Sequence, residues 1–274
     1  DNEWYGTAGG VAYRDVFGST LDYPAWVFTD QLGNSAANCA EAASHEAGHT
    51  LGLQHDGTSS SSYYAGHGSG AVSWAPIMGN SYGKSVSHWS KGEYPGANNP
   101  EDDLLIISST RNGLGYIGDD HSSSLSSATL MTTAGSGTLT AEGLIESNGD
   151  IDLFRFVCSG GPVSFVANNG PYDPNLDIRL ELLDASGAVL ATAAPSANLD
   201  ASLSTTVSSG TYHLRVSATG NGDLVTGYGD YGSLGDYSIT GTVPTEVVLA
   251  AQVTSPRSEE HTSELQSQFH IVCR

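Results

Sequence analysis

His45 and His49 stand four residues apart in the segment Ser44-His45-Glu46-Ala47-Gly48-His49-Thr50-Leu51-Gly52-Leu53-Gln54-His55-Asp56. On a helix that spacing projects both imidazoles from one face, one turn apart. Two nitrogen ligands so placed can reach a single Zn²⁺ at about 2.0–2.1 Å. Glu46 lies one residue along, able to approach an activated water without being a ligand. Gly52 can adopt the left-handed conformation that ends a helix, so the chain can turn sharply and return His55 as a third ligand. Three protein ligands leave one position open, which marks a catalytic zinc site rather than a closed structural one.

These residues need a helix beneath them, and the local composition predicts one. From about Ser35 to Leu53, Ala36, Ala37, Ala40, Ala42, Ala43, Ala47 and Leu51 are good helix formers, and Gly52 supplies a stop. Val11–Tyr13 and Trp26–Phe28 read as short strands. The Gly, Ser and Tyr between Asp56 and Val72 read as loop. A second helix is expected at 100–109, with Pro100 in the first helical position. Glu101, Asp102 and Asp103 then complement the positive end of the dipole, a commoner role for such a trio than holding a metal. Beyond Asp119 the helical period ends. Alternating runs at Ile151–Val157, Val163–Ala167, Leu176–Leu183, Ala201–Val207, Tyr212–Val216 and Tyr237–Val243 predict an all-β sandwich of about eight strands. A linker and the first strand are expected between Ser122 and Gly137.

His45-Glu46-x-x-His49-x-x-Gly52-x-x-His55-Asp56 resembles the metzincin zinc-peptidase signature. Asp56 after the third His is similar to the reprolysin/adamalysin branch. Trp74-Ala75-Pro76-Ile77-Met78-Gly79 resembles the Met-turn of that family, and Met78 is one of only two Met in the chain. The resemblance implies Met78 as a hydrophobic floor beneath the ligands, with Gly52 and Asp56 as further support. It implies peptide hydrolysis in which zinc acidifies water and polarises the scissile carbonyl, while Glu46 acts as general base. Substrate would lie extended along an edge strand near Gly10–Arg14. Related enzymes place a Tyr two residues after the Met; here that residue is Asn80, so the role is not transferred to Tyr82. His67 and His88 are expected in loop or core. Only 44 residues precede His45, so the expectation is the C-terminal part of a metzincin domain, whose activity as a fragment depends on strands upstream.

The region from Asp119 to Val243 resembles the bacterial pre-peptidase C-terminal domain. The matching stretches are Gly149–Phe154, Asn175–Leu180, Gly210–Tyr212 and Tyr231–Tyr237. Some such domains bind calcium, and Asp150, Asp152 and Asp177 are candidate oxygen ligands for Ca²⁺. The more frequent role for such residues is satisfying turn amides.

Composition bounds the rest. The formal net charge is −21, from 9 Lys+Arg and 30 Asp+Glu, which excludes phosphate-driven nucleic-acid binding. No apolar run is long enough for membrane insertion. Cys39, Cys158 and Cys273 form neither a disulfide framework nor a thiolate metal site. The segment Arg257–Ser267 resembles translated sequencing-adapter DNA.

The expected fold is therefore α+β, a partial metzincin domain at 1–116, followed by a jelly-roll-like β-sandwich at 117–243. A linker at 244–256 and a non-native tail at 257–274 complete the chain. The expected function is a secreted zinc metalloendopeptidase acting on protein or peptide substrates, its signal peptide lying upstream. The competing readings are a non-catalytic zinc-site homologue, or a matrix- or polysaccharide-binding protein in which the sandwich does the work. Cleavage specificity and oligomeric state are not legible, because pocket walls depend on loop geometry.

Overall fold

The computed structural model describes residues 5–244. The expected tail at 257–274, Cys273 and all of the expected linker except Pro244 lie outside the described residues.

In the first half, short elements surround one substantial helix. β1 (Gly10–Val11) pairs antiparallel with β2 (Trp26–Val27). α1 spans Ala36–Leu51. Ser35, in extended conformation, caps its start by accepting the Asn38 N–H, and Gly52 ends it at φ 112°. Both ends therefore sit where the Ala run and the glycine predict them. β3 (Trp74–Pro76) then runs parallel to β4 (Val86–His88).

The second helix departs from expectation. α2 covers only Asp103–Ile107, and Pro100 lies outside it. Asp102 is the cap, accepting the Leu105 N–H. The acidic trio does not act as one group: Glu101 accepts the Gln54 N–H, while Asp103 is fully buried and accepts the Ser90 N–H. Tertiary partners for these carboxylates outweigh the small gain from a longer dipole-matched helix.

The second half is an all-β sandwich. Its strands are β5 (Thr129–Leu130), β6 (Thr132–Thr133), β7 (Thr138–Ile145), β8 (Ile151–Cys158), β9 (Gly161–Asn169), β10 (Ile178–Leu183), β11 (Val189–Ala193), β12 (Ala201–Val207), β13 (Gly210–Ala218) and β14 (Gly235–Thr242). They form two five-stranded sheets, ordered β11-β10-β13-β8-β5 and β12-β9-β14-β7-β6. Only β5, beside β8, runs parallel to its neighbour. Alternation produces this packing: Val163, Phe165 and Ala167 of β9 meet Phe154, Phe156, Leu180 and Leu214 from the other sheet in one core. β7 and β11 were not expected as strands. β7 interrupts its alternation with Glu142 and Gly143, and β11 lies at a sheet edge with its apolar Val189 and Leu190 exposed.

The two halves meet through β4. Ser87 N–H donates to Asn175 Oδ1 and His88 Nε2–H donates to Asn175 O, each at 2.8 Å. Trp74, Val86 and Tyr94 form one apolar cluster with Leu199 and Tyr228. Tyr231 donates to Asp102 and accepts the Leu104 N–H.

Candidate metal centre

α1 places His45 and His49 one turn apart, with ring centroids 4.9 Å apart. The glycine exit at Gly52 turns the chain back, and His55 arrives with its ring 4.6 Å from His49 and 5.2 Å from His45. One ligand atom from each of the three lies within 4.8 Å of the others. The three candidate ligands read from the sequence therefore converge.

Their donor chemistry suits a borderline-soft divalent ion. His45 Nδ1–H donates to Ile77 O at 2.7 Å, and His49 Nδ1–H donates to Leu53 O at 2.9 Å. Those bonds fix the tautomers and leave Nε2 as the lone-pair atom of each ring. His49 Nε2 and His55 Nε2 approach to 2.9 Å. Burial lowers the pKa of His45 and of His55 to about 4, and lowers that of His49. Neutral imidazoles are the form that binds metal. The set fits Zn²⁺.

Glu46 is 7% exposed, and desolvation raises its pKa to about 7. β1 is pressed against it: a Cβ on Gly10 would stand 2.7 Å from Glu46 Cγ. Glu46 and His45 border a cleft of about 230 Å³, also bounded by Gly9 and Gly10 of the β1 segment and by Asn80–Tyr82 after the Met-turn. A carboxylate that holds a proton near neutral pH, in a cleft it shares with the neutral imidazole of His45, can exchange that proton with water.

Met78 is fully buried in one cluster with Leu53 and Ile77, whose carbonyls accept from His49 and His45. Asp56 is buried, its N–H donating to Met78 O at 2.9 Å, so the segment after the third histidine is tied to the Met-turn. Gly48 completes that contact, since a Cβ there would fall 2.5 Å from Met78 Sδ. Gly48→Ala is expected to destabilise the protein by about 1–3 kcal/mol through overpacking, despite the better helix propensity of Ala. Thermal unfolding would check this, and a Tm equal to or above that of the parent would refute the close packing.

His67 and His88 stand apart from the triad. His67 bonds Tyr64 Oη and Gly227 O. His88 is buried, its pKa lowered to about 4, and it connects the Met-turn to the sandwich: Ile77 N–H donates to His88 O, and its ring reaches Asn175. Two residues at the site carried no motif. Tyr63 sets its ring 4.3 Å from that of His55, and Glu41 lines the cleft. Glu41 is four residues before His45, so helical periodicity alone puts it on the ligand face. Tyr63 sits in loop sequence without periodic signal.

The calcium candidates divide. Asp150 and Asp152 lie together, with Asp119 completing the group. Asp177 is elsewhere, accepting the Tyr228 hydroxyl at 2.9 Å. Asp150 Oδ1 also accepts the Ile151 N–H, as a turn residue does.

No protein-family model matches the chain, and a search of curated proteins finds no relative. Solved structures similar to it include the pre-peptidase C-terminal domain of the collagenase from Bacillus anthracis, at 15% identity over 46% of this chain and 99% of that one, with a TM-score of 0.29. Another is Aeromonas hydrophila PliG, a periplasmic inhibitor of g-type lysozyme, at 12% identity over 42% and 95%, TM-score 0.30. A third is the Yersinia pseudotuberculosis-derived mitogen, at 17% identity over 40% and 88%, TM-score 0.26. Likenesses this distant carry nothing about chemistry. Among the described residues, no helix is long and apolar enough to cross a membrane.

Proposed function

We propose that the protein is a secreted zinc-dependent metalloendopeptidase of metzincin type, with a pre-peptidase C-terminal-like sandwich as its second part. The observation that carries the reading is the convergence of His45, His49 and His55, with the tautomers of His45 and His49 set by backbone carbonyls, and a desolvated Glu46 in the open cleft that His45 also borders. His45, His49 and His55 would hold the ion through Nε2. Bound there, zinc supplies Lewis-acid chemistry, acidifying water toward a pKa near 7 and polarising a carbonyl. Glu46 takes a proton from the attacking water and returns it to the leaving amine nitrogen. Gly10, lacking a side chain, lets the backbone of β1 itself pack against Glu46 at the border of the cleft. The Ile77 and Leu53 carbonyls keep two of the imidazoles oriented throughout. Zinc analysis of the purified full-length parent protein together with a casein-cleavage assay tests the reading. Stoichiometric zinc without cleavage would favour the non-catalytic homologue, and absence of zinc would remove both.

The sandwich would hold Ca²⁺ at Asp119, Asp150 and Asp152. Oxygen ligands suit that ion, and Asp152 Oδ1 is buried without a hydrogen-bond partner. Burial raises the pKa of Asp152 to about 8. Without the ion, the folded state keeps this proton between about pH 4 and 8, where the unfolded chain has released it. The contribution of the group to stability therefore falls as pH rises through that window. Saturating calcium at pH 8 is expected to raise Tm by about 5 °C and to flatten the fall. Differential scanning calorimetry with calcium and with chelator checks this, and identical curves would count against the site.

A further inference from the structure

We infer that the cleft beside Glu46 accepts a cationic side chain, so that the enzyme cuts next to Arg or Lys, with Glu41 as the residue that selects it. The inference rests on the peptidase reading and adds the substrate class to it.

Glu41 lies on the same face of α1 as His45, one turn earlier, and borders the cleft that also touches Glu46, Gly9 and Gly10. Both of its carboxylate oxygens are oriented by neutral donors: Ser87 Oγ–H donates to Oε1 at 2.7 Å and Ser81 Oγ–H to Oε2 at 2.5 Å. Among the described residues Glu41 forms no ion pair. A carboxylate has about four lone-pair sites, so two remain for a guanidinium or ammonium group. At about 230 Å³ the cleft is too small for a drug-sized ligand and of the order of one long side chain. Its other walls suit the stem of such a side chain. Ile77 and Tyr82 line it, and an aliphatic chain can lie along them while its charged end reaches Glu41. Position adds the last element. Among the described residues β1 pairs only with β2, and its Gly9–Gly10 segment borders the cleft. A peptide extended past β1 with its scissile bond at Glu46 has the flanking side chain beside this opening. An acidic or large apolar residue there would face an unpaired carboxylate, whereas a cation pairs with it.

The test uses the zinc-loaded full-length parent protein and a peptide library of defined composition, with cut sites read by mass spectrometry. Arg and Lys are expected to be enriched at one position flanking the scissile bond. A matched pair of peptides with Arg or its neutral isostere citrulline at that position should differ at least tenfold in kcat/KM, as a charge-assisted hydrogen bond supplies. Glu41→Gln should bring that ratio close to one, and Glu41→Lys should move the preference to Glu and Asp. An equal loss for both peptides in Glu41→Gln would assign Glu41 a structural role and overturn the inference. The wild-type ratio decides without any variant, should the substitutions unfold the protein: a ratio near one overturns it. Cuts without basic enrichment leave the peptidase reading standing and remove this one. No cut in any peptide removes both.

Discussion

Replacing Glu46 with Ala is expected to leave about one zinc per chain and to lower kcat/KM on casein-derived peptides by about 10²–10⁴-fold, the range of a lost general base. The two effects separate because Glu46 is not among the converging nitrogen ligands, although it lies one residue from His45. Its side chain borders the cleft instead, beneath Gly10, and burial holds its pKa near 7 rather than in the ordinary carboxylate range. That value matches a group that must both take and give a proton near neutral pH. Removing it also opens space under β1, so thermal unfolding belongs beside the kinetics. A zinc-loaded, folded Glu46→Ala protein that cleaves at the parental rate would end the assignment.

The second large effect is expected from His49→Ala, which should abolish stoichiometric zinc retention and peptide cleavage together. His49 is central to the triad: its ring contacts both His45 and His55, and its Nδ1–H is held by Leu53 O just beyond the helix end. Loss of an outer partner of a ligand costs about 10–100-fold in metal affinity, so loss of a ligand itself should exceed that. Zinc content after dialysis against a weak chelator gives the measurement. Retention equal to the parent would show that the ion is held elsewhere. The same experiment on Met78→Leu should keep the metal, since Met78 packs with Leu53 and Ile77 outside the candidate ligand set and is volume-matched by Leu.

Much of α1 and the centre was legible from the chain alone. Ser35, the alanine run and Gly52 are local signals, and each acts within a few residues of itself. The three histidines share that property, because a helix and one glycine turn are enough to gather them. α2 was less legible. Its acidic start reads as dipole chemistry, yet Asp102 and Asp103 are engaged by Tyr231 and Ser90, partners that no local pattern announces. β7 and β11 escaped for a related reason. Their strand character comes from the neighbours they pair with more than from their own alternation.

The sequence by itself determined the candidate ligand set, the general-base candidate and the sandwich class. These follow from residue type, spacing and charge, which need no tertiary partner. The three-dimensional structure decided which acidic residues meet. Asp119 joins Asp150 and Asp152 while Asp177 goes to Tyr228. It also brought Ser81 and Ser87 across from α1 to grip Glu41, and set Tyr63 against His55. Those contacts join residues 8 to 46 positions apart in the chain, so their geometry is fixed by packing of whole elements. The convergence of the three histidines is therefore written in local spacing, and the surroundings of Glu41 in contacts between distant elements.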